Sequence, residues 1–186
     1  AVALSKAHQT LADHFRRIRR LDDARRELDL AIAITPPAED SRFTIARASA
    51  LVDRAALLRE RTERSAADAD LDAALGALRL VLQRRPQDRH AMLALGNTLG
   101  AIGAARSAHD DASGAQAAWS EARDVLERLV TTFPQAIAPR RSLCTTIDNL
   151  ATLARRDGRV DDAERLRQRA VDMATQLAAE NANSPK

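Results

Sequence analysis

Residues 8–36 read HQTLADHFRRIRRLDDARRELDLAIAITP. Two apolar patterns of helical spacing flank a short charged link: His8-x2-Leu11-Ala12-x2-Phe15, then Ala24-x3-Leu28, with Pro36 twelve residues after Ala24. A small residue where two helices touch, a large apolar one a turn later, and a proline closing the second helix describe a helical hairpin. The pattern recurs. Pro36, Pro86, Pro134 and Pro185 stand 50, 48 and 51 residues apart, and Ala24, Ala74 and Ala122 each precede a proline by twelve residues. Leu28, Leu78 and Leu126 precede the same prolines by eight. Self-similarity at a fixed period marks a stacked repeat array. It predicts an all-α fold of about eight helices in four antiparallel pairs, with no sheet. The units fall at about 1–36, 37–86, 87–134 and 135–180, with a flexible tail over 181–186.

Composition agrees. In 186 residues there are only six Gly and six Pro, and aromatic residues make up 2%. Such a chain suits closely packed helices of Ala and Leu, not a barrel around a ligand. Net charge is 29 minus 26, or +3, and no aromatics interleave with the basic residues to stack bases, so nucleic acid is not the expected partner. Arginine far outnumbers lysine, a bias we read as bacterial. One cysteine, Cys144, excludes an internal disulfide framework and reads as a packed small residue beside Leu143 and Ile147. No apolar run is long enough to cross a membrane. Starting at Ala1, the chain reads as a fragment of a larger protein.

The first hairpin resembles the tetratricopeptide (TPR) repeat, with His8 in the place of the family's tryptophan. Arg20-Leu-Asp-Asp-Ala24 forms its turn, with Asp22 or Asp23 placed to cap the second helix. The last hairpin repeats that link as Arg159-Val-Asp-Asp-Ala163 after Ile147-x2-Leu150-Ala151-x2-Ala154. Its second helix carries Arg167 where a bulky apolar residue is usual and extends to about Asn181 as a polar cap. The middle hairpins read as longer, with small residues 26 apart (Ala48 to Ala74, Gly96 to Ala122) against 12 in the outer two (Ala12 to Ala24, Ala151 to Ala163). Their turns are expected at Thr62 to Ala67 and at His109 to Gly114. Buried positions should include Leu11, Ala12, Phe15, Ala24, Leu28, Leu78, Leu95, Ala122, Leu126, Leu150 and Ala163.

Catalytic and metal chemistry finds little support. Asp68-x-Asp70-x-Asp72 opens like a calcium loop, but Ala73 takes the glycine position and Arg79 that of the closing glutamate. None of His8, His14, His90 and His109 has zinc-face spacing. Gly96, Gly100 and Gly103 suit helix contact and not a phosphate-binding turn. No catalytic residue, metal or cofactor is expected, and the fragment is read as a non-enzyme.

The TPR resemblance implies a right-handed superhelical stack whose first helices line a concave groove. It places Gln9, Asp13, Arg16 and Arg17 on that face in unit one, Asn97 in unit three, and Asp148, Thr152, Arg155 and Arg156 in unit four. Four arginines there would favour an acidic protein or peptide partner; local pairing with neighbouring acids is the counter-reading. Residues 126–134 (LERLVTTFP), Arg140-Arg141, Leu150 and Gly158-Arg159 resemble the repeat regions of large bacterial Ser/Thr protein kinases. That likeness implies a sensor or regulatory module, cytoplasmic by default and periplasmic if it follows a transmembrane segment. The alternatives are a homo-oligomerisation scaffold, such as a homodimer through the apolar flank of an end helix, and a site for an anionic small molecule or nucleic acid.

Overall fold

The computed structural model describes residues 1–36 and 40–182, apart from the side chains of 181 and 182. Eight helices account for the described chain, and no strand occurs among the described residues. They are α1 (Val2–Arg17), α2 (Leu21–Ala33), α3 (Ser41–Glu60), α4 (Arg64–Arg84), α5 (Arg89–Ala108), α6 (Ala112–Thr132), α7 (Ile137–Arg156) and α8 (Val160–Ala182). They form four antiparallel pairs. The chain divides within α5 into two compact units, Ala1–Ala101 and Ile102–Lys186. Pro185 and most of the expected tail lie outside the described residues; α8 itself runs to Ala182, two residues into that stretch.

One turn is built four times. Arg19, Thr62, Asp110 and Gly158 each adopt a left-handed backbone, with φ of 62°, 64°, 58° and 76°. The amide that follows each one reaches back to the carbonyl five residues earlier: Arg20 to Phe15, Glu63 to Leu58, Asp111 to Arg106 and Arg159 to Ala154, at 2.8–3.0 Å. This is the Schellman closure of a helix end, which satisfies carbonyls that the last turn would leave open. Only the fourth turn uses the glycine that this backbone favours.

Counting from these turns corrects the sequence-based register. Ala24, Ala67, Ala115 and Ala163 each lie five residues after a turn residue, and all are buried. Ala12, Ala55, Gly103 and Ala151 each lie seven before, buried as well. The spacing between small residues is therefore 12 in every pair, and the expected 26 in units two and three is wrong. Ala48, Ala74, Gly96 and Ala122 are buried, but two helical turns further from the link. The added length sits at the open ends: Pro86 and Pro134 follow their turn residues by 24, Pro36 by 17. The fourth pair is long too, at 20 and 23 residues, so only α1 and α2, at 16 and 13, are short.

Two further expectations fail. No side chain caps α2; Asp23 instead pairs with Arg20 and Arg26, and Asp22 with Arg61. Leu11 is 41% exposed and Phe15 only partly buried, whereas the other nine expected core residues are buried.

In the C-terminal unit the α5–α6 crossing depends on a glycine. A Cβ on Gly103 would stand 2.4 Å from Nε1 of Trp119, a side chain 5% exposed. Gly103→Ala should therefore destabilise the protein by about 1–2 kcal/mol, because overpacking of about 1–3 kcal/mol outweighs the 0.5–1 kcal/mol of helix propensity gained. At Gly76 in α4 an added methyl meets nothing within 4 Å. There the same change should stabilise by about 0.5–1 kcal/mol. Urea denaturation of the two variants checks both signs.

Between α2 and α3 a row of arginines adds polar contacts to the apolar cluster that holds Ala24, Leu28 and Leu57. Arg47 and Arg54 of α3 and Arg61 just past its end, seven residues apart, all reach α2. Arg47 donates to the carbonyls of Ile32 and Thr35 at 2.7 and 3.1 Å, Arg54 to Asp29 at 2.8 Å, and Arg61 to Asp22. Arg54 also holds the buried Asp70 of α4 through two bonds of 2.8 Å. At the same turn-relative positions, α7 uses Leu143 and Leu150, both buried, and Leu150 packs with Ala115 and Trp119 of α6. On α1 and the residue that ends it those positions hold Leu4, Leu11 and Ile18, which are 52%, 41% and 50% exposed. The first helix thus carries an apolar stripe on the face that α3 and α7 turn towards the helix before them.

Candidate functional site

In the N-terminal unit, α1, α3 and α5 line a shared groove of about 660 Å³. Each helix contributes at helical spacing: Val2, Lys6 and Gln9; Ile45, Ser49, Val52 and Asp53; His90, Leu93, Ala94 and Asn97. The floor is apolar, from Val2, Ile45, Val52, Leu93 and Ala94, and polar groups stand at intervals along it. The Ser49 hydroxyl donates to Oε1 of Gln9 at 2.9 Å, and Gln9 Nε2 donates to Ser5 Oγ at 3.2 Å, which ties α1 to α3. At one end Asp88 caps α5, accepting from the amides of His90 and Ala91 at 3.0 and 3.1 Å and from Ser41 Oγ at 3.4 Å. Asn97 is exposed.

Asp53 differs from the other acids here. It is half-buried and makes no hydrogen bond or ion pair among the described residues. Burial pushes its carboxyl up to about 6; Arg16 opposes that shift and Asp13 adds to it. Arg16 is itself engaged, its Nε donating to Glu60 of α3.

Of the residues named from sequence, Gln9 and Asn97 line this groove. Asp13 and Arg17 pair with each other on α1 at 2.7 Å. Asp148, Thr152, Arg155 and Arg156 repeat the register of Gln9, Asp13, Arg16 and Arg17 relative to their turns, and they belong to the C-terminal unit. There Asp148 lies 3.9 Å from Arg167, and Arg156 donates to Ser107 and Asp110 at 3.3 and 3.5 Å. Thr152 and Arg155 are exposed. Three of the four arginines thus follow the local-pairing reading. Only Arg155 makes no ion pair among the described residues.

Sequence reasoning missed Ile45, Ser49, Val52 and Asp53. A register that puts Ala48 at the crossing of α3 leaves the groove face of that helix unassigned. Counting back from Thr62 makes Val52 the equivalent of Gln9. Cys144 is half-buried; its Sγ donates to the Ala170 carbonyl at 3.2 Å, and burial, with Asp148, raises its pKa. No group of three or more possible metal ligands occurs among the described residues.

No protein-family model and no curated protein matches the chain. Solved structures do. BtubC (BKLC) from P. vanneervenii superposes with a TM-score of 0.68 at 21% identity, over 98% of this chain and 66% of that one. The fold is TPR-like. The TPR-like repeats assigned to a Podosopora anserina kinesin light chain align over 94% of this chain and 96% of theirs, with a TM-score of 0.42 and 15% identity. The chain spans just under two thirds of the BtubC length.

Proposed function

We propose that this chain is a protein–protein interaction module that takes a peptide segment of its partner in the α1–α3–α5 groove. The observation that carries this reading is the groove's make-up: an apolar floor from three helices with amide, hydroxyl and carboxylate groups along it, the mix that orients a peptide. Peptides selected from a random display library should bind the wild type and lose about tenfold or more with Asn97→Arg, an exposed change that fills the groove. Equal binding to both proteins would send the search to other surfaces. We also propose repeat units at about 1–36, 37–86, 87–134 and 135–180. The narrower reading, a regulatory region of a bacterial signalling protein such as a Ser/Thr kinase, draws support from the run at 126–134 with Arg140, Arg141, Gly158 and Arg159. The full coding sequence tests it through the domain and any membrane segment upstream.

A second reading is self-association through α1. Leu4, Leu11 and Ile18 form a straight stripe at seven-residue spacing, which a two-fold axis can set against its own copy. The wild type should then sediment as a concentration-dependent dimer, and Leu11→Asp as a monomer of unchanged helicity. A wild type that stays monomeric at high concentration would remove this reading.

A further inference from the structure

We propose that Asp53 makes the α1–α3–α5 groove selective for a partner segment that inserts a lysine or arginine side chain between apolar residues. This rests on the groove reading above and adds the chemistry of the ligand. Asp53 lines the groove beside Val52 and one helical turn from Ser49, on a floor that Ile45 and Leu93 make apolar. A carboxylate that is partly desolvated and unpartnered is unfavourable until a donor reaches it. The protein's own cations do not fill that role. Arg16 is taken by Glu60, and Arg42 by Asp40 at 2.7 Å. Lys6, on the groove wall, makes no ion pair among the described residues and leaves Asp53 unpaired. A basic side chain carries both the donors and the charge, while its methylenes lie on the apolar floor. An acidic segment would meet like charge at the same point. Selectivity for a cation also reverses the acidic preference that the arginine count suggested, because those arginines are mostly paired.

The test uses peptides first shown to occupy the groove by their sensitivity to Asn97→Arg. Those peptides should be enriched in Lys or Arg at one position flanked by apolar residues. Replacing that residue by norleucine, which keeps the stem and drops the charge, should weaken binding to the wild type by about tenfold to a hundredfold. Against Asp53→Asn, the lysine and norleucine peptides should bind alike. Lowering the pH through about 6 should weaken the lysine peptide on the wild type. Asp13 and Arg16 of α1 and His90 of α5 face the same region, and their contribution appears in the Asp53→Asn control. Groove-bound peptides without a basic residue, or a lysine preference that survives Asp53→Asn, would overturn this inference and leave the groove reading standing. If no selected peptide responds to Asn97→Arg, the groove reading falls, and this one with it.

Discussion

Arg54→Ala should destabilise the protein by on the order of 3 kcal/mol, the largest single effect expected outside the apolar core. Arg54 joins three helices: its guanidinium holds Asp70 of α4 through two bonds and Asp29 of α2 through a third. The side chain of Asp70 is only 10% exposed, so truncating Arg54 leaves an almost buried carboxylate without its partner. Asp29, 49% exposed, is resolvated and adds little. The fold itself suggests a rescue. The pair that stands in the same register in the last hairpin is Leu150 and Leu166, packed together in an apolar cluster. The double variant Arg54→Leu, Asp70→Leu should therefore recover most of the loss, since an ion pair replaced by packed apolar residues is often neutral or better. A double-mutant cycle by urea denaturation separates the terms. A loss under about 1 kcal/mol for Arg54→Ala would mean that water reaches Asp70 readily and that the bridge is ornamental.

The same bridge shows what was legible in the sequence. Hairpins, helix number and most of the core could be read from prolines and small residues, because close helix crossings tolerate few alternatives. The register of the middle pairs could not. Thr62 and Asp110 fall inside the two stretches expected to turn, but neither is the glycine that usually marks the left-handed residue, so the count from turn to crossing residue had no fixed origin. With the register shifted by two helical turns, Ala48 and Ala74 still fell on buried faces, and nothing in the apolar pattern exposed the error. The site suffered more. A groove position is defined by the angle around the helix and also by distance from the turn, so the error in α3 hid Asp53 and Val52. Gln9 and Asn97 both line the groove: α1 is in the expected register, and in α5 the slip from Gly103 to Gly96 is seven residues, two helical turns, which keeps nearly the same face. The arginines were misleading for a different reason: sequence counts charges, whereas Arg16, Arg17 and Arg156 are each matched by an acid that folding brings near.

Asp53→Asn is expected to make the unliganded protein more stable at neutral pH, by about 1–2 kcal/mol. The carboxyl moves from 3.8 to about 6 on folding, mainly through burial. A displacement of that size is equivalent to about 3 kcal/mol, reduced here because the groove is open to water. Its direction fixes the pH dependence. Between about pH 4 and pH 6 the folded state binds more proton than the unfolded chain, so stability is greatest below 4, falls through that window, and levels off above 6. Asparagine neither gains nor loses charge there, and every other titrating group is common to both proteins. The gap between variant and wild type should therefore be near zero at about pH 4 and open fully by pH 7, as read from urea midpoints at each pH. A gap independent of pH would place Asp53 fully in water in the folded state, removing both the shift and its cause. If the gap opens as described, the free protein carries an ionised group in a site that disfavours it, and a bound cation would remove that penalty. Adding a saturating lysine peptide should then reverse the order of the two proteins at pH 7, with the wild type the more stable, because ligand binding to the native state alone adds to its stability.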